Sequence, residues 1–170
     1  MALKRFFLLF CLIQALLFVL ELTAPAQRWV VLPFTEGLAQ ASIWLIQWFD
    51  SDVVANGIHL YHLPSRFAMS IEAGCNGIEA SIILLAAILA FPAAWRHKFW
   101  GLLIGLGSLH GVNLVRIISL FYLGQWNLRY FEWAHLYGWQ ALIMLDVLVV
   151  FLLWLRYLRG LQAPGQGIEP

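Results

Sequence analysis

Cys75, Arg116 and His135 are the residues of this chain whose types could do chemistry together. A thiol becomes a nucleophile when it loses its proton, an imidazole moves protons near neutral pH, and a guanidinium stabilises an anion. Side by side they form the working parts of a cysteine acyl-transfer centre. They lie far apart in sequence, so the elements that carry them must bring them together. Each sits at, or just inside, the end of a long apolar segment.

Cys75 stands in Glu72-Ala73-Gly74-Cys75-Asn76-Gly77-Ile78. The flanking glycines let backbone or substrate come close. Placed at the N-terminus of an apolar helix, the thiol would meet free N–H groups and the positive end of the helix dipole. Both favour a thiolate and could hold an oxyanion. Arg116 lies in Asn113-Leu114-Val115-Arg116-Ile117, with Asn113 on the same helix face. An arginine inside a membrane span costs about 2.5–3.5 kcal/mol on insertion scales and marks a functional position by default. His135 opens the last apolar stretch, where a proton-transfer group would meet the other two.

Each residue also has a non-catalytic reading. A lone cysteine packs as a small apolar side chain. The arginine could pair with a carboxylate such as Glu79, and the histidine could anchor at an interface. The conjunction of all three at one face favours catalysis. Glu72 and Glu79, three before and four after Cys75, could orient His135 or hold Arg116, or simply be solvated. His110 is the rival base because it shares a face with Asn113 and Arg116. It lies about 9 Å deeper at 1.5 Å per residue, and Asp146 is its expected partner. His97 falls at the opposite face, and His59 and His62 read as polar surface.

The supporting elements follow from composition. Of 170 residues, 62% are hydrophobic and 11% charged, against roughly 45–50% and 25% in a soluble domain. The chain therefore reads as an all-α integral membrane protein, one domain over 1–160 and a disordered tail over 161–170. Basic residues cluster no more than two or three at a time, which argues against nucleic acid as a partner. The two cysteines, Cys11 and Cys75, show no metal-ligand spacing and no CxxC pair. A disulfide, a metal site, a cofactor and thiol oxidoreductase chemistry are accordingly not expected.

Four stretches are long and apolar enough to cross a bilayer, at about 20 residues per span: Phe6–Thr23, Cys75–Phe91, Phe99–Leu123 and His135–Tyr157. Lys4 and Arg5 before Phe6 also suit a signal peptide, but Pro25 spoils the cleavage region, so the segment reads as an uncleaved span. An N-in/C-in arrangement puts Lys4, Arg5, Arg96, Lys98, Arg156 and Arg159 on the cytoplasmic side, as the positive-inside rule prefers. The same arrangement sends Cys75, Arg116 and His135 to the outer face. Leu38–Phe49 reads as an interfacial helix. Asn56-Gly57 and Pro64-Ser65 are turn signals, and the alternation Phe67, Met69, Ile71 predicts a small β-hairpin in the first extracytoplasmic loop.

The Cys75-Asn76-Gly77-Ile78 stretch, the Asn113–Ile117 stretch and His135 together resemble the exosortase/archaeosortase family over roughly residues 70–140. The short length is similar to the compact exosortases, of which the exosortase H type is the nearest in layout. The resemblance implies a membrane cysteine transpeptidase of the bacterial inner membrane, acting on its periplasmic side. It implies catalytic roles for Cys75, Arg116 and His135. It also implies as substrates exported proteins with a C-terminal motif, an apolar helix and a basic tail, and an acceptor nucleophile of unspecified identity. Asn76 departs from the pattern, since a small hydroxyl residue more usually follows the cysteine. The competing reading is a non-catalytic membrane scaffold or assembly subunit.

Overall fold

A computed structural model describes residues 2–162 of the chain. Five helices carry the fold. Helix α1 is Ala2–Glu21; α2 runs over Ala24–Ile46 and includes a π-helical turn at Gln27–Val31; α3 is Ile78–Ala90; α4 is Trp95–Trp126. Helix α5 starts with Leu128–Trp133, widens into a π-helical turn at Ala134–Gly138 and continues as Trp139–Gln162. Between α2 and α3 lies a three-stranded antiparallel sheet of β1 (Val53–Asn56), β2 (His59–His62) and β3 (Phe67–Ser70), in that order. Four helices, α1, α2, α4 and α5, are long and apolar enough to cross a membrane.

The spans expected from hydropathy are found at α1, α4 and α5, and the second one is cut short. Helix α3 begins at Ile78, not Cys75, because Gly74 and Gly77 take left-handed backbone angles of φ 81° and 79°. Only glycine adopts these cheaply. Pro92 ends the helix by forcing Phe91 into an extended conformation. Its 13 residues cover about 20 Å at 1.5 Å per residue. Helix α3 is nevertheless central, with Ala80, Leu84, Ala86 and Ile88 buried among α1, α4 and α5.

The helix expected over Leu38–Phe49 is present as the second half of α2. Its contacts climb α4 in order: Phe34 packs on His110, and Phe49 and Asp50 reach Tyr122. Thr35, Leu38, Ser42 and Ile46 are buried on the face turned inward. The two buried hydroxyls bond back to the carbonyls of Val31 and Leu38, so neither is left unpaired.

Helix α4 has 32 residues, about 48 Å against roughly 30 Å of hydrocarbon. One of its ends therefore outlasts the bilayer, and the sheet and α2 pack there. Leu38, Ile43, Ile46, Val53, Leu60, Ile71, Ile117 and Phe121 make one core. A second core of Leu84, Ile88, Leu109, Ile143, Val147 and Trp154 fills the bundle. The expected hairpin around Pro64 is present as β2–β3, and the Asn56-Gly57 turn adds β1 to it. Helix α5 continues through Gln162, the second residue of the expected tail; residues 163–170 lie outside the described residues.

Candidate active site

The site lies where the segment before α3 meets α4 and the π-helical turn of α5. Cys75 Sγ is 2.8 Å from His135 Nε2. Arg116 Nη2 donates toward the same sulfur at 3.6 Å, and Nη1 donates to the Gly74 carbonyl at 3.2 Å. Two residues 41 and 60 positions from Cys75 in sequence thus converge on its sulfur.

Local structure explains each placement. Gly74 and Gly77 bend the chain on both sides of Cys75 and Asn76, so the thiol sits in a tight loop just before α3. Asn76 is buried and pins that loop. Its Nδ2 donates to Thr35 Oγ1 at 3.2 Å, and its Oδ1 accepts from the Ile78 N–H at 3.1 Å. Asn113 is buried under the loop, with its amide 3.3 Å from where a Cβ on Gly77 would stand. A side chain at position 77 would therefore meet both left-handed strain and Asn113. His135 leaves α5 from the π turn, in which the Trp139 N–H bonds to the Ala134 carbonyl five residues back. Such wide turns re-aim side chains and recur at functional sites. Phe131 stands beside the imidazole, with ring centroids 5.5 Å apart.

The electrostatics depart from expectation. Cys75 is three residues before the helix, and its own N–H is held by the Glu72 carbonyl at 2.9 Å. It is not the N-terminal residue of a helix, and its own N–H is not free to hold an oxyanion. Burial pushes the Cys75 thiol above its ordinary value of 9.0, Arg116 pulls it down, and Glu79 and Glu72 push it up again. The proton therefore rests on sulfur at neutral pH, opposite to the thiolate that a helix dipole would favour.

Neither acidic residue bonds His135 or Arg116, and Glu72 is exposed, as its solvated reading expects. Glu79 accepts the Gly74 N–H at 2.7 Å, and Glu72 accepts from Ser70 Oγ. Among the described residues, no carboxylate lies within ion-pair distance of Arg116, and none bonds His135. Arg116 is 2% exposed, so this is a buried guanidinium whose partners are a carbonyl and a thiol. A structural arginine would be expected to have a carboxylate partner.

His110 is not at the sulfur. Its Nε2 is 3.2 Å from Ser81 Oγ and its ring packs on Phe34. The expected link from His110 to Asp146 is not formed among the described residues: His110 Nδ1 and Asp146 Oδ2 are each buried without a hydrogen-bond partner. His59 and His62 lie in the sheet and His97 contacts Tyr157 at the far end of the bundle. Thr35, Phe131 and the edge of β3 escape notice in the sequence. Thr35 is the only one that carries a signal, as a hydroxyl inside an apolar stretch.

A cavity of about 30 Å³ opens on the pair, lined by Met69, Ser70, Cys75, Arg116, Leu120, Phe131 and His135 among others. A space of that size admits a carbonyl group or a water. The family model for transmembrane exosortases (Exosortase_EpsH) matches residues 2–155. No curated protein matches the chain, and no solved structure does.

Proposed function

The chain belongs to the transmembrane exosortase family, and from that membership we propose that it is a membrane cysteine transpeptidase with Cys75 as nucleophile. The carrying observation is the 2.8 Å approach of Cys75 Sγ to His135 Nε2 with Arg116 Nη2 3.6 Å from the same sulfur. A scaffold has no need of a buried guanidinium that lacks a carboxylate.

The steps follow from the protonation states. The thiol is neutral at rest, so His135 Nε2 takes the Sγ proton as sulfur adds to the scissile carbonyl carbon. Negative charge gathers on the carbonyl oxygen, and Arg116 is the cation at hand to stabilise it. The C–N bond breaks, and the imidazolium returns its proton to the leaving amine. A thioester remains on Cys75. The acceptor nucleophile, water or an acceptor molecule, then gives its proton to His135 and its electron pair to the thioester carbon. The sulfur leaves and recovers the proton.

The proposed substrates are exported proteins with a C-terminal motif, an apolar helix and a basic tail. Orientation is read from charge. Phe6 packs on Phe91 and Phe151, and Trp154 and Tyr157 both reach His97. These contacts gather Lys4, Arg5, Arg96, Lys98, Arg156 and Arg159 at the end of the bundle away from the site. The positive-inside rule sends that end to the cytoplasm and the site to the extracytoplasmic face of the bacterial inner membrane. The test is processing of an exported reporter carrying such a C-terminal tail. Cys75→Ala should abolish it at equal membrane abundance; unchanged processing would sink the mechanism and favour a scaffold.

A further inference from the structure

The sheet beside the site has two edges, and the structure treats them differently. Helix α2 covers β1, where Gln47 Nε2 donates to the Val53 carbonyl at 3.1 Å. Among the described residues, no strand pairs with the outer edge of β3. The Ile71 N–H donates to the Ile58 carbonyl at 3.0 Å, and Met69 and Phe67 pair with Leu60 and His62. Backbone direction alternates along a strand, so residues 67, 69 and 71 turn their N–H and C=O groups to β2. Those of Ala68 and Ser70 turn to the open edge. Among the described residues, no hydrogen bond reaches them from that side.

That edge runs into the active-site cavity. Met69 and Ser70 line the same small space as Cys75, Arg116 and His135. Across from β3 stands the start of α5: Phe67 and Phe131 both rest on Gly124 of α4. The small cavity thus has Met69 and Ser70 of β3 on one side, Phe131 and His135 of α5 on the other, and Leu120 of α4 between them. It closes on the sulfur. The space beside the sulfur has room for a peptide carbonyl group.

We infer that the β3 edge is the docking strand for the substrate. An extended segment of the processed peptide adds as a fourth strand, bonds to Ala68 and Ser70, and is thereby laid with its scissile carbonyl at Cys75. This rests on the reading of Cys75 as nucleophile and adds how the substrate is held: by main-chain hydrogen bonds, with side chains alternating between the cavity wall and the outside. An unpaired edge is otherwise a hazard that proteins cover or charge, and here it is left open only beside the thiol.

The experiment uses the full chain in detergent and synthetic peptides covering the motif of the processed reporter. Single N-methyl groups are placed on each backbone nitrogen of the motif in turn. Strand addition predicts cleavage lost at every second position and kept at those between. On the enzyme, Ala68→Pro removes one outward N–H without touching the β2 pairing. It should lower kcat/KM about tenfold, the worth of one strong hydrogen bond, mainly through KM. Ala68→Val, which keeps the N–H, should restore it. Alkylation of Cys75 by iodoacetamide should be unchanged in both, showing an intact site. If Cys75→Ala abolishes processing while Ala68→Pro and all N-methyl peptides behave as the parents, strand addition is overturned and the thiol mechanism stands. If Cys75→Ala processes normally, the thiol reading itself has failed. A change in oligomeric mass for Ala68→Pro with KM unaltered would mean that the edge pairs two copies of the chain, and would also overturn the inference.

Discussion

The thiol's protonation state offers the sharpest check on the mechanism. A cysteine at its ordinary value of 9.0 is only about 2–3% thiolate at pH 7.4, and burial of Cys75 lowers that fraction further. Iodoacetamide reacts with the thiolate alone, so its rate should climb about tenfold per pH unit, close to a thousandfold between pH 6 and 9. A preformed thiolate–imidazolium pair would instead reach its plateau before neutrality. The measurement is made in Cys11→Ala, because Cys11 is also free and is exposed on α1. Two variants then move the profile in opposite directions. Arg116 pulls the thiol down, so Arg116→Gln should slow alkylation at fixed pH. Glu79 pushes it up, so Glu79→Gln should speed alkylation, and glutamine keeps an oxygen for the Gly74 N–H. A plateau below pH 8 in the parent, or both variants shifting the same way, would refute the reasoning.

His135→Ala should cost roughly 10²–10⁴ in the processing rate, while alkylation well above pH 9 stays near that of the parent; an unimpaired rate would move the base elsewhere. The Asn76–Thr35 bond should be worth about 1 kcal/mol, read as lost thermal stability in detergent for Thr35→Val. The Thr35→Val/Asn76→Ala cycle should be non-additive, and strict additivity would mean that the bond does not hold the loop.

The long apolar elements were legible because hydropathy over about 20 residues is a direct measure of what lipid tolerates. The start of α3 was not, because Cys75, Asn76 and Gly77 differ little in polarity from a helix turn and only the backbone angles of Gly74 and Gly77 end it early. Helix α2 was half legible: Pro33, Thr35, Glu36 and Gly37 dilute its hydropathy, and its burial comes from α4, a partner no local window can see. Arg116 stood out because a charge inside an apolar run has a cost that must be met. Its freedom from any carboxylate could only come from the folded chain. The sequence argument for a lowered thiol pKa failed for the same reason as the helix start: Asn76 and Gly77 separate Cys75 from the helix whose dipole it was expected to feel. Glu79 was noticed, and its hydrogen bond to Gly74 was not foreseeable without the loop's shape.

The distribution of the site over the loop before α3, helix α4 and the π turn of α5 has a consequence for the order of synthesis. The sulfur emerges first, the guanidinium next and the imidazole last. Until residues 134–138 have wound beside the loop, the thiol has no base, and it is protonated and half-buried besides. On the proposed mechanism a chain that has not yet inserted α5 would carry out no acyl transfer. Chains halted before residue 128 should show Cys75 in the membrane and no acyl transfer, and activity in such a fragment would contradict this. Maturation here is the arrival of the last helix.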